Sequence, residues 1–531
     1  MAFYKDHYDA VVIGGALAGM SCALSLAKEG KSVLILERHN LPGGIATSFV
    51  RSHKEMEATL HEMMSLGPKE DPLYIREYLE KMNVAIDWLR VPEAYELSSP
   101  RDNIDIILHA GYKDQGKLHY DAKEDLEFIA ADEIDKAYPG SKDEVNRLLN
   151  LCRKVYLSTL YLNDHTLSKL QMLKDHEELV KTAGYSAKEV MDTFHLRKEV
   201  KDILSAYYVY VGQPISTLPF TIYSFLMADY FIGGSYVARG FSHGMSVALA
   251  KACEKAGVQY EYCQEVEKIF VEHGHVTGVK TKRGDVIKTG YVASAPYPNT
   301  VFSKMIEPKS EVPARAYQSL NARKMSVTCF SVVMLLDAKP EDLNIHSYSV
   351  FSSEIPFDTD KFWEEGKHLG GWSNLSTICL NLANPNCTPE GMTSLSITVL
   401  PLPEAFFDVK ADDYYSMKRR IAKEMIDKVS SHLGVNLLDH IVEIEIETPM
   451  TMSRYTGDYN GGVYGYQHCM DDSVVARLAQ VKDDIYIQGL AWCASHALTG
   501  DGMACNINNG RIAARTLLAM MDEDSKKGER R

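Results

Sequence analysis

The sequence predicts an α/β fold in which an N-terminal parallel βαβ unit is interleaved with a second domain of mixed sheet and helices. Three observations predict it. Residues 9–13 (Asp-Ala-Val-Val-Ile) form a short apolar run suited to a buried parallel strand, and the run Gly14-Gly15-Ala16-Leu17-Ala18-Gly19 follows at once. A second apolar run over residues 32–36 ends in an acid, Glu37, 23 positions after Gly14. Strand-like and helix-like runs then alternate irregularly over a chain of 531 residues, too long for one core.

Within the first unit, residues 20–29 are expected to form a helix with a small, apolar face (Ala23, Leu24, Ala27) that ends at Gly30. A Gly-rich turn of this kind lets a helix N-terminus face a pyrophosphate, and an acid at the tip of the second strand accepts hydrogen bonds from a ribose. Ala16 stands where the pattern G-x-G-x-x-G has its second glycine, so its methyl group faces the expected phosphate path. Arg38 and the loop Pro42-Gly43-Gly44-Ile45 follow. The unit is therefore read as dinucleotide-binding, through Gly14, Gly15, Ala16, Ala18, Gly19, Glu37, Arg38, Gly43, Gly44 and Ile45.

Composition narrows the function classes. A formal net charge of −15 argues against nucleic acid as a partner. Ten scattered cysteines with no C-x-x-C suit reduced thiols rather than a disulfide framework or a zinc site, so no metal is expected. The first strand begins near Tyr8, which leaves no room for a signal peptide, and no run of about twenty apolar residues is present. The expected location is the cytoplasm or the periphery of a membrane. The charged segment 522–531 is expected to be disordered.

Along the remaining chain, residues 72–136 read as mixed helix and strand and residues 139–211 as helical. Ser186-Ala187-Lys188-Glu189 is a capping box. Residues 207–231 are rich in aromatic and aliphatic side chains but interrupted by Pro214 and Pro219. They read equally as buried core or as the wall of a lipophilic site. A helix is expected over 243–255, closed by Gly257, then a strand meander with turns at Gly274 and Gly284. Strands are expected over 327–336 and 394–400, a helix over 414–433, and a returning strand over 484–489. Gly500-Asp501-Gly502-Met503 opens the last helix.

Several segments together resemble the phytoene desaturase, carotenoid isomerase and retinol saturase branch of the flavin amine-oxidase-like fold. They are the Gly14 turn, Glu37, Pro42-Gly43-Gly44, the stretch 55–61, Gly233-Gly234-Ser235-Tyr236, Ser294-Ala295, and the segments 447–451, 454–457 and 462–465. Glu57 and His61 fall where the saturases place an acid and, four positions on, a histidine; Thr59 replaces the glycine usual between them. The resemblance covers essentially the whole chain. It implies a discontinuous FAD-binding domain over 1–70, 233–300 and 480–521, and a substrate domain over 71–232 and 301–479. It also implies that the Val266 backbone holds the adenine. Gly489 falls on the glycine that many family members follow with an acid, which is Leu490 here.

One Gly-rich unit is present and no second, so FAD is the expected cofactor and an external electron donor or acceptor the expected partner. The last helix, starting after Gly502 and Met503, would direct N–H groups and positive partial charge at the flavin. Neither a Ser-His-Asp order nor H-E-x-x-H occurs. Hydride transfer is then the central step, with a side chain supplying at most a proton. His61, Glu62, Tyr236, Tyr455, His468, His496 and Asp501 are the candidates. His61 is preferred, with His496 and Asp501 next because they flank the turn expected to cover the flavin. Arg239 is expected to hold a phosphate or a substrate carboxylate, and Tyr236 and Tyr455 to contact substrate. The expected activity is saturation, desaturation or isomerisation of a lipophilic unsaturated molecule. The alternatives are a flavin-free prenyl-lipid carrier of the escort-protein type and a flavin amine oxidase.

Overall fold

The computed structural model describes residues 4–58, 62–113, 123–165, 168–474, 476–477 and 485–529. A five-stranded parallel sheet is assembled from three separated stretches of chain. Its order is Leu490–Trp492, Val292–Ser294, Ala10–Ile13, Val33–Leu36, Gln259–Glu261. The runs Ala-Val-Val-Ile and Val-Leu-Ile-Leu are buried at every position, because both faces of the sheet are covered. Ala10, Val12, Val33 and Ile35 pack on the helices Leu17–Lys28, Phe241–Lys255 and Met503–Glu529. The alternate residues Val11, Ile13, Leu34 and Leu36 pack on a four-stranded meander that includes Val266–Glu272 and His275–Thr281.

Glycines set the closeness of that packing. A Cβ at Gly19 would lie 2.0 Å from the Gly14 carbonyl oxygen, and one at Gly510 would lie 2.1 Å from the Ala18 carbonyl oxygen. The first and last helices therefore touch backbone to backbone, and both begin at the same edge of the sheet.

A second, seven-stranded sheet is ordered Ile441–Glu447, Phe330–Leu336, Thr393–Val399, Asn374–Cys379, Ser349–Ser353, Tyr95–Ser99, Ile104–Leu108. It is antiparallel except where Tyr95–Ser99 runs parallel to Ser349–Ser353. The helix Tyr414–Leu433 covers Phe330, Val332, Met334 and Leu336 on one face. A helical layer between residues 129 and 233 forms a separate aromatic-rich core with Tyr95, Tyr156, Phe220 and Phe231. Among the described residues, no helix is long and apolar enough to cross a membrane.

Two expectations are corrected. The returning strand is Leu490–Trp492, not residues 484–489; Asp484 lies outside the described residues. Gly489 adopts φ +81°, which turns the chain before the ladder begins, and Gln488 makes only an isolated bridge to His275. The segment predicted to be disordered continues the last helix to Glu529. Extending an existing helix escapes the nucleation cost, and the Tyr291 hydroxyl donates to Asp524 Oδ2 at 2.9 Å, which ties the extension to the body.

Candidate functional site

A cavity of about 660 Å³ runs along the edge of the parallel sheet where Ile13 and Leu36 end. The first helix opens onto it. Ala16 at its N-cap has no side chain able to cap, and the first intrahelical bond is Met20 N–H to the Ala16 carbonyl at 2.9 Å. The N–H groups of Leu17 and Ala18 are thus left without intrahelical partners at the cavity wall, the arrangement that receives an anion.

The turn around them is held by named contacts. Gly14 has φ +99°, open to glycine alone without strain, and a Cβ there would also crowd Ala295 at 2.9 Å. Tyr260 donates its hydroxyl to the Gly15 carbonyl at 2.8 Å, so a Cβ at Gly15 would strike that hydroxyl. Gly43 N–H donates to the same carbonyl at 2.9 Å. The Ala16 methyl sits 3.0 Å from where a Gly44 Cβ would be. The loop glycine thus makes room for the methyl group that the turn itself carries.

Glu37 is buried at the tip of the second strand. Its Oε2 accepts Gly15 N–H at 2.6 Å and its Oε1 accepts His39 N–H at 2.7 Å. It clamps the turn and still presents lone pairs to the cavity. Arg38 also lines the cavity, but its guanidinium donates to the Arg454 and Tyr455 carbonyls and so ties in the 454–457 segment. Gly43, Gly44, Ile45, Val266, Gly502 and Met503 line the same cavity, with Asn506 of the last helix. Gly15, Gly19 and Gly489 do not. Gly19 serves the packing described above, and a Cβ at Gly489 would meet the Gly290 carbonyl at 2.1 Å, away from the cavity.

A smaller chamber of about 130 Å³ adjoins the first. Met64, Val211, Ile222, Phe225, Leu226 and Val474 give it an apolar lining. Tyr210, Tyr464, Gly502 and Met503 border both spaces, so the two meet at the start of the last helix. The proline-interrupted segment 207–231 is both core and wall: Tyr207, Phe220 and Phe231 are buried while Tyr210 and Phe225 face the chamber.

Besides tyrosine and threonine hydroxyls, its lining holds the carboxyl group of Glu62 and the paired His468 and Asp501. Glu62 is buried with neither carboxyl oxygen hydrogen-bonded. Burial, reinforced by the charge of Glu93, pushes its pKa up to about 8; the Tyr210 and Ser235 hydroxyls oppose this more weakly. Its position is fixed by its neighbour Met63, which exchanges both backbone hydrogen bonds with Tyr236, at 2.8 and 3.0 Å. The second group is His468, whose Nε2 pairs with Asp501 and whose Nδ1 has no partner. Gly500, at φ +80°, allows this contact, since a Cβ there would lie 2.4 Å from His468 Cε1.

The other assigned residues are placed as follows. His61 lies outside the described residues. Tyr236 faces neither space: it is buried in a two-stranded ladder with Arg90, and the Arg76 guanidinium lies 5.2 Å from its ring centre. Its backbone positions Glu62 through the two hydrogen bonds to Met63. Arg239 is half exposed and ion-paired to Asp87 at 2.6 Å, and it belongs to neither lining. Tyr455 lines the larger cavity at its Glu37 end, its ring 4.2 Å from that of His39, and is absent from the lining of the apolar chamber. His496 is turned away into a third cavity, although its neighbours Ala494 and Ser495 line the first. Asn506 was not singled out by any sequence signal; Tyr210 and Tyr464 lie in the segments 207–231 and 462–465, but neither was named as a site residue, because they reach the site through tertiary packing.

Residues 12–68 match the family model of an NAD(P)-binding Rossmann-like domain. Over 86% of this chain and 72% of the other, the sequence is 26% identical to a chloroplastic prolycopene isomerase of Daucus carota. It is 22% identical to an all-trans-retinol 13,14-reductase of Danio rerio, over 95% of this chain and 87% of that one. The chain is thus similar in sequence to a carotenoid isomerase and a retinol reductase. Among solved structures, cyclohexylamine oxidase from Brevibacterium oxydans superposes with a TM-score of 0.59 at 12% identity, covering 97% of this chain and 100% of that one. That likeness carries the fold, a Rossmann-like domain joined to a mixed-sheet domain.

Proposed function

We propose that the chain is an FAD-dependent oxidoreductase acting on carbon–carbon bonds of a lipophilic polyene, of carotenoid or retinoid type. The observation that carries the reading is the junction at Gly502 and Met503, where a dinucleotide-sized cavity meets an apolar chamber holding a buried carboxyl group. The residues present fit FAD. The uncapped start of the first helix suits the pyrophosphate, Glu37 the ribose, and Val266 the adenosine end. When bound there, FAD supplies hydride transfer to or from a substrate carbon.

The chain's own groups do the rest. Phe225, Leu226, Ile222 and Met64 exclude water and hold an extended apolar molecule. Glu62, neutral at pH 7, holds a proton at its carboxyl oxygen within the chamber and is assigned to donate it or, in the reverse direction, to accept one. His468, fixed by Asp501, is a further polar group facing the substrate. A single Gly-rich unit favours an external electron donor or acceptor. The amine-oxidase alternative draws only on a likeness of fold.

The escort-type carrier is separated by colour. The purified protein is expected to be yellow and to release FAD on denaturation. A colourless protein that binds retinol without any flavin would favour the carrier. Two variants probe the cradle. Glu37→Ala removes a charged partner of two backbone N–H groups and of the ribose, so FAD affinity is expected to fall by about 1–3 kcal/mol, read by titration of the apoprotein. Ala16→Gly removes a methyl that Gly44 already accommodates, so flavin content is expected to stay level or rise; loss of FAD uptake would mean that the methyl is needed to seat the loop.

A further inference from the structure

The turn over residues 494–498 separates two spaces. Ala494 and Ser495 line the large cavity, while His496 and Ala497 line a third cavity of about 100 Å³ behind it. One side of this third cavity is apolar, formed by Phe302, Leu320, Leu490, Trp492 and Ile512. The other side presents Arg323, Arg477 and His496, and no carboxylate is among the described lining residues.

The charge count at that side does not close. Asp472 is the carboxylate partner of both arginines. Arg323 donates to it through Nε at 2.8 Å and Nη2 at 3.0 Å, and Arg477 through Nε at 3.0 Å. Among the described residues, these two guanidinium groups, 10% and 2% exposed, thus share one carboxylate, which leaves one positive charge. Arg477 spends its remaining donors on the Ala497 and Tyr466 carbonyls. Arg323 Nη1 makes no hydrogen bond, and the Tyr466 ring covers only the face of that guanidinium, at 3.7 Å. His496 is 3% exposed, and both of its ring nitrogens lack partners. Burial and the two arginines push its pKa down to about 3, so it is a neutral imidazole with one unused N–H. An unpaired buried donor and an uncompensated buried charge are each costly, and one anion would relieve both.

We propose that this cavity is a binding site for an amphiphilic monoanion, its carboxylate on Arg323 and His496 and its apolar body against Phe302, Leu320 and Trp492. A carboxylate matches the residual single charge, accepts from planar N–H donors in one plane, and leaves room for a short apolar body. The site is distinct from both cavities assigned to cofactor and polyene, and the inference stands whatever reaction they support.

Isothermal titration of the full chain, cofactor retained as purified, tests it with sodium benzoate, the neutral isostere benzyl alcohol, and inorganic phosphate. Benzoate is expected to bind and benzyl alcohol and phosphate to bind at least tenfold more weakly. Arg323→Met is expected to weaken benzoate at least tenfold. Leu320→Trp, which fills the cavity from its apolar side and leaves the ion cluster intact, is expected to do the same and serves alone if Arg323→Met fails to fold. Absence of benzoate binding at millimolar concentration would overturn the proposal. Affinity unchanged in the folded variants would place benzoate elsewhere and also overturn it. Phosphate binding as tightly as benzoate would overturn the amphiphile assignment.

Discussion

Glu62→Gln is expected to slow substrate conversion by about 10²–10⁴-fold, the usual contribution of a positioned proton donor, while leaving FAD content unchanged. Glutamine keeps the shape of the side chain and removes its acid. In the wild type, the proton is present below a pKa of about 8 and is lost as pH rises through it. For saturation, the rate therefore falls above pH 8; for desaturation, where the ionised form accepts the proton, it rises. The variant shows neither limb. A second readout comes from stability. Folded Glu62 keeps a proton that the unfolded chain releases from the ordinary glutamate value of 4.5 upward. The native state thus binds more protons between those values, and stability falls as pH rises from 4.5 to about 8. Glu57 and Asp229, raised by burial to about 8 and about 7, act in the same sense. Glu62→Gln removes one such group, so melts across this window should lose about 1.4 kcal/mol less per pH unit. A variant as fast as the wild type, with an unaltered pH profile, would remove Glu62 from the reaction.

Gly510→Val is expected to cost about 3 kcal/mol or more and to empty the protein of flavin. The last helix crosses the first with Gly510 against the Ala18 carbonyl, the Cys22 N–H and Ser21. Two of these are backbone atoms, which cannot rotate away. Separating the helices also displaces their N-termini, and the start of each lines the large cavity. Gly244→Ala is the control: it lies inside the helix Phe241–Lys255 with nothing within 4 Å of its Cβ position, so it should be neutral or stabilising by up to about 1 kcal/mol. Thermal melts and flavin absorbance per chain check both.

What the sequence made readable follows from local chemistry. Apolar runs of four residues fixed the paired strands of the first unit, the capping box at Ser186 opens the helix Ala187–Met191, and the helix Tyr414–Leu433 lies where the periodicity put it. The glycines at 274 and 284 do turn the meander, at φ +76° and +96°. The site was less readable, because its key properties come from long-range packing. Glu62 has a raised pKa only because distant elements bury it and bring the charge of Glu93 near it. Tyr236 and Arg239 follow the glycine pair 233–234 closely, yet Tyr236 is buried in a ladder and Arg239, just past the strand, pairs with Asp87 at the surface. Residues 522–529 read as disordered from charge, whereas Lys, Glu and Asp extend a helix cheaply once packing has started it.

We propose that reducing equivalents held at the large cavity pass to or from a polyene in the adjoining chamber. Anaerobic stopped-flow mixing of the photoreduced protein with a carotenoid, a retinoid, a fatty acid and a primary amine tests it most directly. Flavin absorbance is expected to return with the carotenoid or the retinoid, and more slowly in Glu62→Gln. A reduced flavin indifferent to every polyene, together with an oxidised flavin bleached by the amine, would contradict it.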